Sequence, residues 1–419
     1  MELFVNNRTR LTGEVTVSSS KNAILPILAA SLLTDEEVQI DRVPSIKDVI
    51  IITELIHNLG SGIEKKENKI IFRAAQVGTS PDYELVRQIR ASFLVAGPLL
   101  ARHGAIKIAL PGGCAIGTRP IDLHLKGFRA LGAGIGLSGG NVIASSSGLK
   151  GNHIYLDFPS VGATENIMMA AALAKGTTYI ENAALEPEVV DLANFINTMG
   201  GRISGAGRNV IRIEGVKRLH GSHYTAIADR IEAGTYMVAA AATGGDITIK
   251  NVIPEHVKAV TAKLIESGAQ VAEGRDKIRV KRDGAIKPLY LKTLPYPGFP
   301  TDMQAQFMAY LSCADGSSVI TESVFENRFM HVPELSRMGA KIKAESRTAI
   351  IKGVKELSGT RVKATDLRAG AALLIGALMA KGTSIISNSE HIDRGYENIV
   401  DKLNGLGADI YRQEEESRH

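Results

Sequence analysis

Cys114 is one of two cysteines in the 419-residue chain, and it stands in the stretch Pro111-Gly112-Gly113-Cys114-Ala115-Ile116-Gly117-Thr118-Arg119-Pro120. Three glycines with a proline at each end read as a loop, open to backbone angles that other residues avoid. Arg119 gives the thiol a positive neighbour, and such a field favours the thiolate, the reactive form of cysteine. On the decapeptide alone, a reactive thiol and an inert cysteine in a surface turn are equally good readings. A second set of chemistry-bearing residues opens six stretches otherwise rich in Ala, Leu and Met: Ser20-Lys21-Asn22, Arg87-Gln88-Ile89-Arg90, Thr164-Glu165-Asn166, Asp229-Arg230-Ile231-Glu232, Thr301-Asp302-Met303-Gln304 and Asp366-Leu367-Arg368. Thr164, Thr301 and Asp366, taken singly, read as helix N-caps. Lys21, Arg90, Arg230 and Arg368 do not, because a cation in a first turn opposes the helix dipole at about 0.3–1 kcal/mol unless an anion is near. Brought together, they make a site for a multiply anionic ligand. Salt bridges to neighbouring acids are the alternative.

The elements that must hold these residues repeat. An amphipathic helix ending in Gly, usually Gly-Ala, recurs at Gly60, Gly132, Gly200, Gly268, Gly339 and Gly407, spaced 72, 68, 68, 71 and 68 residues apart. The apolar helices keep the same period, starting near Lys21, Arg90, Thr164, Arg230, Thr301 and Asp366, and are apolar nearly all round, hence buried. Most lead into a short β-rich run (106–110, 178–180, 247–249, 319–321, 384–386), and hairpin patterns such as 63–72 and 271–280 follow the glycines. One unit therefore reads as buried helix, strand, amphipathic helix, strand pair. Six units suggest two clusters of three around shared helical cores. The sixth stops short of its closing strands, and residues 1–20 resemble them. The expected domains are 22–229, carrying the Cys114 loop, and 1–21 with 230–419, with the active site in the cleft between them. Cys313 reads as a core residue of a buried helix over 308–313.

Composition narrows the classes. At 44% hydrophobic and 22% charged the chain reads as soluble and globular. Two cysteines cannot build a disulfide framework, the start lacks a signal-peptide pattern, and apolar runs such as 371–380 are too short for a bilayer, so a cytoplasmic location is expected. A scattered net charge of +5, without a basic block, argues against nucleic acid and suits small anionic substrates. No pattern calls for a metal or a cofactor, and oligomeric state is not legible.

Seven stretches in order then resemble one family: Ser20-Lys21-Asn22-Ala23, the cysteine loop followed by Ile121-Asp122-Leu123-His124, Ser160-Val161-Gly162-Ala163-Thr164, Phe299-Pro300-Thr301-Asp302-Met303-Gln304, Phe325-Glu326-Asn327-Arg328-Phe329, Thr365-Asp366-Leu367-Arg368 and His391-Ile392-Asp393-Arg394-Gly395-Tyr396. The chain resembles the UDP-N-acetylglucosamine enolpyruvyl transferases (1-carboxyvinyltransferases) over essentially its whole length. The resemblance implies a two-domain inside-out α/β barrel with three repeats per domain. It also implies addition–elimination between phosphoenolpyruvate and the 3-hydroxyl of UDP-N-acetylglucosamine, in peptidoglycan precursor synthesis. It makes Cys114 the proton donor to C3 and the residue alkylated by fosfomycin, on a loop that closes as a lid. Asp302 becomes the acid that deprotonates the sugar hydroxyl. Lys21, Arg119 and Arg394 hold phosphoenolpyruvate with Asn22 alongside, and Arg328 and Arg368 add positive charge. Arg90, Arg119, Pro120, Ile121, Asp122, Leu123, Phe158, Pro159, Ser160, Val161 and Val324 match nucleotide-sugar contacts, with His124 and Asp366 in support. One departure is visible: where some members carry a lysine before Ser160, this chain reads Asp157-Phe158-Pro159.

Enolpyruvylshikimate phosphate synthase shares this chemistry but lacks the cysteine loop. A non-catalytic nucleotide-sugar binder would not need Cys114 and Asp302 together, and a cyclase acting on RNA ends would want a catalytic histidine and a wider basic surface.

Overall fold

In the computed structural model the described residues are 1–112 and 120–414. They divide into two compact units, residues 19–227 and residues 1–18 with 228–414. The chain crosses between units at 18/19 and 227/228, where the sequence expectation has 21/22 and 229/230. The shift has one cause at both points. Ser20 caps the helix Lys21–Ala30, its hydroxyl accepting from the Ala23 amide, and Asp229 caps Arg230–Thr243, accepting from Ile231 and Glu232. A cap stays with its helix, so Lys21 belongs to the first unit and Asp229 to the second.

Inside each unit the apolar helices form the core. All residues of Arg230–Thr243 and of Leu367–Met379 are buried, as the unbroken apolar sequence requires. Six small sheets surround these cores. Five have four strands, in which a parallel strand flanks the strand following the buried helix and an antiparallel pair lies on its other side. Thr177–Glu181, for example, pairs in parallel with His153–Tyr155 and antiparallel with Val210–Glu214. Residues 1–18 complete sheets of the second unit. Glu2–Val5 lies between Ser384–Ser387 and Ile410–Gln413, and Thr12–Thr16 pairs in parallel with Asp246–Lys250.

The period is held by backbone conformation. Gly60, Gly132, Gly200, Gly268, Gly339 and Gly407 all have positive φ, between 90° and 108°. A side chain there would be strained, and this explains why glycine alone recurs at that point.

Local expectations fail in four places. The second apolar helix opens as a 3-10 turn over Arg90–Val95 before becoming regular over Ala96–His103. There the Ser92 hydroxyl donates to the carbonyls of Val86 and Ile89, a side-chain bond that competes with helical pairing. Thr164 does not cap its helix. Val161–Ala171 starts a turn earlier under Ser160, and Thr164 accepts from the Ala184 amide at 3.1 Å. Thr301 opens a 3-10 turn, and its hydroxyl donates to Glu322 at 2.8 Å rather than capping. Cys313 lies two residues beyond the helix Gln304–Leu311 and is only partly buried, because the chain turns through Ser312 towards Asp315-Gly316.

Candidate active site

In the unit of residues 19–227, the predicted residues cluster at the starts of its helices. Lys21 opens its helix, and its ammonium lies 3.2 Å from the Asp48 carboxylate, which is 3% exposed in the first turn of Lys47–Asn58. The dipole cost of a lysine at this end is thus met by an acid from the next helix. Asn22 follows, half-buried. His124 is buried and pushed down to about 3, by desolvation first and then by the nearby Arg90 guanidinium. A neutral ring at that position is fixed by Asn166, whose amide nitrogen lies 3.1 Å from Nδ1 and also donates to the Phe93 carbonyl. Asn166 Oδ1 accepts from the Gly97 amide at 2.6 Å. His124 is therefore a positioning residue. It holds together Arg90's turn, the apolar helix and the helix Asp122–Ala130.

Pro120 and Asp122 are exposed, and Ile121 and Leu123 are half-buried at the head of that helix. Phe158 is 46% exposed, and its carbonyl accepts from Ser160 at 2.7 Å in a tight turn. Pro159 is half-buried within that turn. Ser160 then caps Val161–Ala171, leaving the amides of Val161 and Gly162 without intrahelical acceptors, a common seat for a phosphate. The stretch lacking a lysine of its own has one supplied from another element. Lys126 reaches from Asp122–Ala130 to Asp157, with Nζ 2.6 Å from Oδ2. Nothing in the local sequence marked Lys126; the pairing arises from the packing of two helix starts.

In the unit of residues 1–18 and 228–414, Asp302 is the centre. It sits in the 3-10 turn Thr301–Met303, and each carboxylate oxygen receives one arginine: Oδ1 from Arg328 Nη2 at 2.7 Å, Oδ2 from Arg368 Nη2 at 2.8 Å. The two arginines are 4% and 5% exposed. Burial opposes the charge on Arg368, and Asp302 outweighs it, so the guanidinium is held firmly protonated. Asp366 caps the helix of Arg368, accepting from the Arg368 and Ala369 amides. Beneath lies a polar hub that the sequence did not single out. Tyr396 Oη accepts from Arg368 Nη1 at 3.1 Å and meets Thr235 Oγ1 at 2.9 Å, while the Gln306 side chain donates to the Asp302 carbonyl. Arg394 ends the turn Ser389–Arg394, two residues before Tyr396.

A second residue missed in the sequence is Glu322, 1% exposed. One of its oxygens accepts from Thr293 and from the Val324 and Phe325 amides, and the other from Thr301. It thereby ties the Val324 loop to the turn carrying Asp302. Because Glu322 occupies the Val324 amide, a ligand contact at Val324 falls to its carbonyl or side chain. A lone acid ending an apolar strand was the available signal.

A family model for EPSP synthase (3-phosphoshikimate 1-carboxyvinyltransferase) matches residues 5–403. UDP-N-acetylglucosamine 1-carboxyvinyltransferase 2 of Carboxydothermus hydrogenoformans is 57% identical over 98% of this chain and 99% of its own. UDP-N-acetylglucosamine 1-carboxyvinyltransferase 1 of Caldanaerobacter subterraneus subsp. tengcongensis is 58% identical over 98% and 99%. The chain belongs to this family. Among solved structures, the enolpyruvyl transferase NikO from Streptomyces tendae aligns with a TM-score of 0.87 at 25% identity, covering 98% of each chain. An EPSP synthase from Acinetobacter baumannii, at 18% identity and TM-score 0.77, shares the fold, the two-domain inside-out α/β barrel. Of the residues assigned by likeness to the 1-carboxyvinyltransferases, Cys114 and Arg119 lie outside the described residues. The structure joins Asp302, Arg328, Arg368 and Asp366 in one cluster, and it pairs Lys21 with Asp48. Lys21 and Arg368 thus sit in ion pairs, Lys21 with an acid on the next helix of its own repeat and Arg368 with an acid from the preceding repeat.

Proposed function

We propose that this chain transfers the enolpyruvyl group of phosphoenolpyruvate to the 3-hydroxyl of UDP-N-acetylglucosamine, releasing phosphate in the first committed step of peptidoglycan precursor synthesis. The near-full-length likeness to 1-carboxyvinyltransferases of that specificity carries the reading. Both units serve the reaction. Residues 19–227 contribute Lys21, Asn22, Arg90, Arg119, the stretch 120–123 and the stretch 158–161, while the other unit contributes Asp302, Val324, Arg328, Arg368 and Arg394.

The chemistry requires a proton on C3 as the sugar oxygen attacks C2, then loss of a C3 proton and departure of phosphate. Cys114 delivers the first proton, and the arginines and Lys21 stabilise the carboxylate and phosphate. Asp302 takes the proton of the 3-hydroxyl. Both its oxygens are engaged by arginine. An arriving anionic substrate offers Arg328 and Arg368 a competing partner and so releases an oxygen to act as base. The cations that bind the substrate then also switch on the base. Two cysteines, too few for a disulfide framework, support a cytoplasmic location.

The direct test is phosphate release from phosphoenolpyruvate with UDP-N-acetylglucosamine or with shikimate 3-phosphate as acceptor. Turnover is expected with the first alone; turnover with the second alone assigns the chain to the sister reaction.

A further inference from the structure

Helix Arg230–Thr243 has Asp229 and Glu232 at one end and, at the other, a cavity of ≈ 490 Å³ lined by Arg8, Arg10, Thr243, Gly244, Arg282 and Asp283. That volume lies within the range of small-molecule sites. Its charge is lopsided. The one carboxylate lining it, Asp283, is already met by Arg10 at 3.3 Å and Lys281 at 2.7 Å. Among the described residues no carboxylate pairs with Arg8; it lines the cavity together with Arg282, and the two like charges oppose each other. Arg282 is 8% exposed and fixed in place, Nε donating to the Ala241 carbonyl and Nη1 to the Gly284 carbonyl.

The end of the helix accounts for Arg282, which satisfies a terminal carbonyl there. It does not account for two further arginines on the same cavity, where like charges face one another. Nor does the transfer reaction use any of the three. Arg282 Nη2 lies near Gly244, and with glycine at 244 and 284 the backbone leaves room for an anion to approach it. Arginine forks on a concave, side-chain-poor wall are the chemistry that takes a phosphate group by paired N–H donors.

We propose that this cavity binds a small phosphate monoester as the dianion, held between the fixed guanidinium of Arg282 and the adjustable guanidiniums of Arg8 and Arg10. The volume accommodates a phosphate with a sugar-sized body. The ligand adds the missing negative charge and relieves the Arg8–Arg282 repulsion.

The test uses the full chain. Crystals are soaked in tungstate, a dianion of phosphate's shape, and ribose 5-phosphate binding is followed by calorimetry in wild type and in Arg8→Ala/Arg10→Ala. Arg282 is left intact because it supports the helix. The expected results are an anomalous peak within hydrogen-bond distance of Arg8 and Arg282, and binding weakened about tenfold or more in the variant. The variant's melting midpoint and enolpyruvyl transfer are expected to stay at wild-type values. Tungstate found only elsewhere on the molecule, or equal affinity of the two proteins for ribose 5-phosphate, overturns the proposal.

Discussion

At the scale of single residues, the candidate site is a set of carboxylates and cations that hold one another. Asp302→Asn keeps the shape and removes the charge that Arg328 and Arg368 share. Its kcat is expected to fall at least about a hundredfold, and its melting midpoint to fall as well, because two buried guanidiniums lose their counter-charge. Steady-state rates and a thermal melt check both, and an unchanged kcat removes Asp302 from the base role. Lys126→Ala addresses the lack of a lysine in the stretch Asp157-Phe158-Pro159. With Asp157 as its resting partner, Lys126 is expected to serve the nucleotide diphosphate, so its loss raises KM for UDP-N-acetylglucosamine roughly three- to tenfold with kcat unchanged. Cys114→Ser is expected to lose turnover while calorimetry still detects the nucleotide sugar. Fosfomycin adducts are expected on Cys114 and not on Cys313, whose thiol burial pushes up. Individual side chains were legible where the family resemblance named them. Glu322 and Lys126 were not, and Tyr396 was named without a role, because their importance lies in partners 21 to 161 residues away, which no local pattern encodes.

At the scale of elements, the repeating unit was legible because it rests on two strong local signals, helical apolarity and a glycine at fixed period. What was missed came from side-chain hydrogen bonds that override propensity. Ser92 loosens a helix start, and Ser160 rather than Thr164 begins another. The periodic glycines give a clean measurement. At Gly132, Gly339 and Gly407 an added Cβ meets nothing within 4 Å, so only backbone strain opposes alanine. Each Gly→Ala change is expected to cost about 1–2 kcal/mol by urea denaturation. At Gly60 the same Cβ meets the Gln76 carbonyl at 2.8 Å, and a larger loss is expected. Equal costs at all four positions count against the added clash at Gly60, and a negligible cost at Gly132, Gly339 and Gly407 counts against the strain account. The sheet beside Ala105–Ala109 shows the opposite case, a repeat that departs from its pattern. It has three strands where the others have four. The segment that would supply the fourth contains Gly78 and Pro81, and a single bond from the Lys107 amide to the Thr79 carbonyl remains.

At the scale of the molecule, each crossing of the chain is anchored within its own unit by a buried acid. Asp191 accepts from the Tyr224 hydroxyl at 2.6 Å and the Ile227 amide at 3.0 Å, just before 227/228. Glu232 accepts from the Ser18 amide at 2.9 Å, just before 18/19, and from Lys402 at 2.6 Å. Burial pushes Asp191 up to about 6 and Glu232 up to about 7. Both pKa values are raised in the folded protein, so the folded state binds the proton more tightly than the unfolded chain. The stability this confers is present below about pH 4 and is lost as pH rises through 6 to 7, by up to about 3 kcal/mol per group. Asp191→Asn removes one of these titrations. Its melting midpoint relative to wild type is therefore expected to climb between pH 4 and pH 7.5; a difference independent of pH speaks against a raised pKa of Asp191 in the folded state. The two-cluster organisation was legible from the unfinished sixth repeat. The exact crossing points were not, because they are set by which helix a capping residue serves.

The strands Glu2–Val5 and Thr12–Thr16 carry a consequence for biosynthesis. They are made first, yet their partners, Asp246–Lys250, Ser384–Ser387 and Ile410–Gln413, are made after the whole of the other unit. That other unit closes its own last sheet with Ser222–Thr225 on Glu37–Asp41 and has every strand it needs by the second crossing. On the ribosome the inserted unit matures alone, while two unpaired strands wait for the rest of the chain. Chaperone binding to nascent chains of this protein should therefore concentrate on its first eighteen residues.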